Sequence, residues 1–126
     1  MKSQLSLDPQ GRNHIRSISE AGVRIGDAVY PGSLLVAAEA VVDDWAPDSL
    51  EALDPSHLEA ILALNPEVVI LGTGATQQFL HPSRLAPIYR AGVGVEIMTT
   101  AAACRTYNIL VAEERRVVAA LFPAHG

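Results

Sequence analysis

Residues 68–74 read Val68-Val69-Ile70-Leu71-Gly72-Thr73-Gly74, an apolar and β-branched run that ends in a glycine-rich turn. A short continuous run of this kind is typical of a strand buried on both faces, as in a parallel sheet. Downstream of it, the pattern predicts a helix within Ser83–Ala91, a strand over Val93–Ile97, a helix from Thr100 to about Glu113 and a strand over Arg116–Phe122. From residue 66 onward the order is therefore strand, helix, strand, helix, strand, which is typical of an α/β fold.

The first forty-five residues follow a different pattern. Short extended runs are separated by turn residues at Gly26-Asp27 and Pro31-Gly32, and this spacing predicts an antiparallel β-meander. After Trp45 the period becomes helical: Asp48-Ser49-Leu50-Glu51 has the form of a capping box, and Asp54-Pro55 opens a second helical segment.

These patterns together predict the fold class and the domain organisation. We expect one α/β domain over residues 14–126, with a mixed central β-sheet, an N-terminal antiparallel β-meander layer and about three helices. A loose, polar leader at residues 1–13 precedes it. A chain of 126 residues, 49% of them hydrophobic, is long and apolar enough to fill one core.

Charge and composition exclude several functional classes. Fourteen acidic against nine basic residues give a net charge of −5, which disfavours a nucleic-acid partner. No apolar run approaches the ~20 residues that span a bilayer, and the N-terminus has no signal-peptide core. One cysteine, Cys104, permits neither an intrachain disulfide nor a cysteine-based zinc site. We expect a soluble cytoplasmic domain with no integral membrane segment, metal or cofactor.

Three segments carry a family resemblance: Val69–Gly74, Gly92–Met98 and above all Ala101–Leu110. They resemble the family that contains the mitochondrial assembly factor 3 of respiratory complex I (NADH:ubiquinone oxidoreductase), together with uncharacterised bacterial and archaeal relatives. The Pro31–Leu35 turn and Trp45 also match, so that the resemblance covers roughly residues 15 to 122. It implies a compact α/β domain with a mixed sheet and an added β layer. It implies no reaction, because the mitochondrial relatives act as non-enzymatic helpers of assembly.

The loop Gly72-Thr73-Gly74 permits two interpretations. Two glycines after a buried strand, with Glu96 downstream, partly match a dinucleotide-binding fingerprint. However, Gln77 occupies the third position of that fingerprint, and the next helix begins only beyond His81-Pro82. The spacing favours a structural tight turn, and a small anion held by the N–H groups of the loop is the alternative.

Glu96 and Cys104 are the two groups with candidate chemistry. Glu96 shares a strand face with Gly94, and Arg105 on the following helix is its expected partner, either in a structural bond or in a ligand site. Cys104 lies about one turn into that helix. It is either a small buried hydrophobe or, beside Arg105, a reactive thiolate. No Cys–His pair at a recognisable local spacing supports catalysis, so no catalytic residue is assigned.

Clefts in open α/β sheets form at the carboxyl ends of strands, and the polar residues after both predicted strands fall there. Thr99 stands where relatives commonly carry an aspartate, and Thr99 or Thr100 would cap the third helix. The candidate pocket therefore comprises Gly72, Thr73, Gly74, Glu96, Thr99, Thr100, Cys104, Arg105, Tyr107 and Asn108.

Trp45 also has two interpretations: it is either a buried residue that fills the core or an anchor for a protein partner. The four histidines, His14, His57, His81 and His125, are too dispersed for metal ligation.

Function is inferred from the resemblance and from the absence of a complete catalytic constellation. We expect a non-enzymatic protein-binding or assembly module with an unidentified protein partner, in a monomer or weak homodimer formed through a strand edge. The alternative is a small-molecule or nucleotide-binding domain, or weak enzyme, that uses the Gly72–Gly74 loop with Glu96 and Arg105.

Overall fold

A computed structural model of the chain describes residues 11–46 and 49–124, which form two β-sheets and three α-helices. The strands are β1 (Ser17–Ser19), β2 (Gly22–Ile25), β3 (Ala28–Tyr30), β4 (Leu34–Ala37), β5 (Ala40–Asp43), β6 (Val68–Gly72), β7 (Gly94–Met98) and β8 (Val117–Leu121). The helices are α1 (Pro55–Leu62), α2 (Ala86–Arg90) and α3 (Thr100–Ala112), with 3-10 turns at Leu50–Ala52 and Pro82–Leu85.

The central sheet is mixed and has the strand order β5-β4-β8-β6-β7. β6 pairs in parallel with β7 and with β8, whereas β4 pairs antiparallel with β8 and with β5. The predicted α/β class and mixed central sheet are confirmed. The run at residues 68–71 indeed forms a strand that is covered on both faces.

The N-terminal layer is smaller than the sequence pattern predicted. It is an antiparallel sheet of β1, β2 and β3 alone. β4 and β5, which we expected to continue the meander, belong to the central sheet. The reason is that all four residues of β4 are buried, and a strand buried on both faces requires a covering layer on each side.

Two apolar cores lie on opposite faces of the central sheet, because successive side chains of a strand point to opposite sides. One core joins Leu35, Val69 and Leu71 to residues of α1 and α2. The other joins Leu34 and Ile70 to α3 and to the three-stranded sheet. The helix α3 therefore lies between the two sheets, and its buried residues include Ala103, Tyr107 and Val111.

The N-termini of the helices show which of the capping patterns in the sequence form in the structure. Asp54 caps α1, and the capping box is closed by the His57 ring, whose Nδ1 accepts the Asp54 N–H at 3.0 Å. Pro87 falls in the first turn of α2, where its missing N–H costs no helical bond. The capping box expected at residues 48–51 gives only a 3-10 turn: the Ser49 side chain makes no capping bond, and Asp48 lies outside the described residues.

The predicted leader falls largely on residues 1–10, which lie outside the described residues. Its last residue is already tied to the domain. The Asn13 N–H donates to the carbonyl of Ala38 at 2.8 Å, and its side chain donates to the carbonyl of Ala37 at 2.9 Å. Contacts to the domain therefore begin before residue 14. Over residues 11–46 and 49–124, no helix has both the length and the apolar character needed to cross a membrane.

Candidate functional site at the carboxyl ends of the central strands

The Gly72–Gly74 loop joins three strands and a helix through its own backbone. Thr73 N–H donates to the Met98 carbonyl at 2.9 Å, and Gly74 N–H donates to Thr100 Oγ1 at 2.8 Å. The Gly72 carbonyl accepts from Phe122 N–H at 2.9 Å, and the Thr100 hydroxyl donates to the Phe122 carbonyl at 2.7 Å. The N–H donors of Thr73 and Gly74 are thus used within the fold and are not free to hold an anion.

The two glycines are needed for close packing. A β carbon on Gly72 would lie 2.9 Å from the Cα of Thr100 and 3.1 Å from the Cβ of Ala103, so α3 rests directly on this strand end. Gly74 has a φ of +112°, a conformation that L side chains rarely adopt. The helix that packs against the loop is α3 and not the one that follows the loop in sequence, which argues against the dinucleotide fingerprint.

A cavity of about 350 Å³ lies beside the loop, at the end of the sheet where we expected a pocket. Thr73, Gly74 and Gln78 line it together with Ser49 and Glu51. The residues after β8 complete the wall. Of the candidate pocket residues, only Thr73 and Gly74 line this cavity, so the set predicted from sequence does not converge on it.

Glu96 and Arg105 do not form the expected pair. Both lie toward the solvent, and within the described residues neither has an ion-pair partner within 4.0 Å. The cause is helix geometry. Thr106 of α3 faces β7, since its hydroxyl donates to the Met98 sulfur at 3.4 Å. Arg105 precedes it by one residue, so its side chain is turned by about 100° to the solvent side.

Cys104 is buried, with 4% of its surface exposed. Burial raises the pKa of its thiol from 9.0 to about 12, and the neighbouring Arg105 opposes this only in part. A neutral thiol packed under a sheet is not an activated nucleophile. The interpretation as a small buried hydrophobe describes this residue, and the reactive-thiolate alternative does not fit its burial.

This burial predicts a change in alkaline stability. Below about pH 9 the thiol is protonated in both states; above it the unfolded thiol ionises, while the folded thiol stays protonated until about pH 12. The Cys104 contribution to the free energy of unfolding should therefore fall by up to about 1.4 kcal/mol per pH unit in that window. Urea unfolding at pH 8 and pH 10 should show a smaller alkaline loss for Cys104→Ala than for the wild type. Equal alkaline losses of unfolding free energy in the two proteins would contradict the assignment of Cys104 as a buried, protonated thiol.

The remaining residues of the candidate pocket perform structural tasks. Thr99 caps α3 by accepting the Ala102 N–H at 3.2 Å. The Tyr107 hydroxyl donates to the Asn13 carbonyl at 2.9 Å, and the Asn108 side chain both donates to and accepts from the backbone of Ile15 at 2.8 Å. These two residues attach the segment that precedes β1 to α3.

Trp45 is 7% exposed and packs against Phe122, with ring centroids 5.5 Å apart. Its Nε1–H donates to the His57 carbonyl at 3.0 Å. Trp45 is therefore a buried core residue, and its position does not fit the alternative of an exposed anchor for a protein partner. Residues 11–46 and 49–124 contain no cluster of three histidine, cysteine or acidic side chains that could hold a metal ion, and His125 lies outside them.

Sequence reasoning missed the most exposed aromatic residue. Phe79 is 83% exposed, in a segment that crosses the end of β7, where the Gln77 side chain donates to the Ile97 carbonyl at 3.2 Å. Tyr89 on α2, which packs against β7, is 44% exposed. The available signal was the position of Phe79 directly after the polar run Thr76-Gln77-Gln78, which leaves it no apolar neighbour on the N-terminal side.

A family model described as "Protein of unknown function (DUF498/DUF598)" matches residues 15–122. The chain belongs to the DUF498 family. This agrees with the resemblance, because relatives named complex I assembly factor 3 match as well: the one from Danio rerio is 34% identical over 111 residues, covering 86% of this chain and 63% of that protein. The chain thus spans slightly under two thirds of that relative.

Two further similar proteins extend the comparison. The "13 kDa major membrane protein" of Francisella tularensis is 36% identical over 96 residues, covering 75% of this chain and 76% of that protein. The crystal structure of a protein from Bordetella parapertussis has a TM-score of 0.83 and 36% identity, covering 92% of this chain and 99% of that one. This DUF498 chain therefore shares its fold with an experimentally solved relative over nearly its whole length.

Proposed function

We propose that the protein is a non-enzymatic protein-binding module of the cytoplasm that assists the assembly of a partner protein. The observation that carries this proposal is the exposure of Phe79, at 83% of its surface. A large aromatic side chain left in water is a characteristic anchor of protein interfaces. The relatives named as assembly factors of NADH dehydrogenase support the same class of function.

The segment around Phe79 is held in place on both sides. Gln78 N–H donates to Thr73 Oγ1 at 3.1 Å, and the Gln78 side chain donates to the Thr73 carbonyl at 3.1 Å. On the other side Leu80 is buried in the core. Because the flanking residues are fixed, a partner that covers Phe79 loses little binding free energy to ordering of this segment.

Phe79→Ser tests the proposal. Loss of a central aromatic anchor should lower recovery of the native partner by about tenfold or more in mild affinity purification. The melting temperature should not change, since the side chain is exposed. Ile109→Ser is the matched control, because Ile109 is also exposed, at 60%, but lies on α3. Equal recovery for the two variants, or no reproducible protein partner, would contradict the proposal.

A second candidate function is the binding of a small polar ligand in the cavity beside Thr73 and Gln78. The observation in its favour is the volume of about 350 Å³, with Glu51 and Ser49 also in its lining. Native mass spectrometry of the same purified samples distinguishes the candidates. A retained small molecule of constant mass, in the absence of a protein partner, would favour this second function.

A further inference from the structure

No strand within residues 11–46 and 49–124 pairs with the outer edge of β7, where the Gln77 side chain donates to the Ile97 carbonyl. β7 is the last strand of the central sheet, and its inner side bonds to β6: Gly94 N–H donates to the Glu67 carbonyl at 3.3 Å, and the Met98 carbonyl accepts from Thr73 N–H at 2.9 Å. Backbone groups alternate in direction along a strand, so the N–H and carbonyl groups of Val95 and Ile97 point outward. The Gln77 side chain meets the Ile97 carbonyl, which confirms that direction. Such an edge can pair with another strand.

The two faces of this edge differ in chemistry. Val95 and Ile97 lie on the α2 face, where they pack against the apolar core. Glu96 lies on the α3 face beside Gly94, and both are exposed. No cation in the described residues lies within 4.0 Å of Glu96, and the space above Gly94 is open, since a β carbon added there would meet nothing within 4 Å. There is room on this face for a long side chain from a partner strand.

The charge of Glu96 indicates which kind of strand can pair with the outer edge of β7. If a second copy of the chain paired antiparallel over all five residues of β7, Glu96 would lie directly opposite the Glu96 of that copy, and like charges in this position are destabilising. A strand carrying lysine or arginine opposite Glu96 gains a favourable pair instead, its stem lying over Gly94. The net charge of −5 favours the approach of a basic partner as well.

We propose that the partner of this protein binds by adding an extended strand to the outer edge of β7. That strand alternates apolar side chains, which extend the layer of Val95 and Ile97, with a basic side chain facing Glu96. The inference rests on the proposed protein-binding function and adds its surface and the chemistry of its partner.

The test is selection of a phage-displayed library of random ten-residue peptides on the whole protein, followed by amide NMR with the synthesised leading peptide. The selected sequences should alternate apolar residues with lysine or arginine, and binding should shift the amide signals of Val95 and Ile97. Glu96→Lys should weaken the leading peptide about tenfold, because a repulsive cross-strand pair replaces an attractive one. A peptide with its basic residue changed to glutamate should restore binding to the Glu96→Lys protein.

Glu113→Lys is the matched control, since Glu113 is an exposed carboxylate at the end of α3, and it should leave the affinity unchanged. Three results overturn the inference. They are the absence of any selected binder, binders that shift the amide signals of Thr73 and Gln78 in place of those of β7, and an equal loss of peptide affinity for Glu96→Lys and Glu113→Lys. If one of these occurs while Phe79→Ser still loses the native partner, strand addition fails and protein binding stands. If Phe79→Ser keeps the partner, the proposed function itself has failed.

Discussion

Gly72→Ala is expected to lower the free energy of unfolding by about 3 kcal/mol, with a fall in melting temperature of about 10 °C. The added β carbon would lie 2.9 Å from the Cα of Thr100. Because that neighbour is backbone, relief requires movement of the whole α3 start away from β6. Urea unfolding and calorimetry of the two proteins measure the loss.

The matched control is Gly94→Ala. Gly94 also lies in a central-sheet strand, but a β carbon at this position would have open space around it to a distance of 4 Å. Its free energy of unfolding should change by less than about 0.5 kcal/mol. Equal destabilisation by the two substitutions would show that the effect is general to glycines in these strands and not due to close packing at Gly72.

Thr100→Val is expected to cost about 2–4 kcal/mol of unfolding free energy. The Thr100 side chain is fully buried, and its hydroxyl accepts from Gly74 N–H at 2.8 Å while donating to the Phe122 carbonyl at 2.7 Å. Valine has nearly the same shape but leaves both of these backbone groups without the Thr100 hydroxyl as a partner. Denaturant unfolding followed by circular dichroism measures the difference.

Thr100→Ser separates the hydrogen bonds from the packing. Serine keeps the hydroxyl and removes one methyl group, so the expected loss is about 1 kcal/mol. If valine and serine at this position cost the same, the hydroxyl does not hold the loop, and the Gly74 N–H would have to be regarded as available to a ligand.

The sequence predicted well those elements whose pattern depends on near neighbours. The apolar run of β6 and the Asp54-Pro55 start of α1 were confirmed. In each case the pattern is set within one strand or one helical turn. Buried strands and capped helices leave such local patterns in sequence.

The distribution of strands between the sheets could not be predicted in this way. The sequence of β4 shows that it is apolar, but only tertiary packing determines that it pairs with β8 across more than eighty residues of chain. The turn at Pro31-Gly32 separates β3 from β4 in sequence but does not show that the two strands belong to different sheets. Strand pairing over long distances in sequence depends on the layers on both sides of the sheet.

The sequence pattern places a candidate pocket at the carboxyl ends of the strands, and the lining of the cavity found there differs from the candidate residues. The cavity lies at the carboxyl ends of the strands, as expected, yet Glu96 and Arg105 lie outside its lining. The distance between Glu96 and Arg105 depends on the rotation of α3 about its own axis. The sequence pattern assigns Arg105 to a helix but does not fix that rotation. The exposure of Phe79 was missed for a similar reason, since burial of a loop aromatic depends on which layers reach it.

In this chain, packing accounts for the glycine loop and for the small residues at the start of α3, and the proposed binding surface lies on the outside of the domain near β7. The most direct test places a photo-crosslinking amino acid at position 79 in one variant and at position 76, beside the cavity, in another, each expressed in the native cell. Specific protein adducts from position 79, absent from position 76, are the predicted result. Adducts from position 76 alone, or none from position 79, would contradict the proposal that recognition occurs through the exposed Phe79 surface.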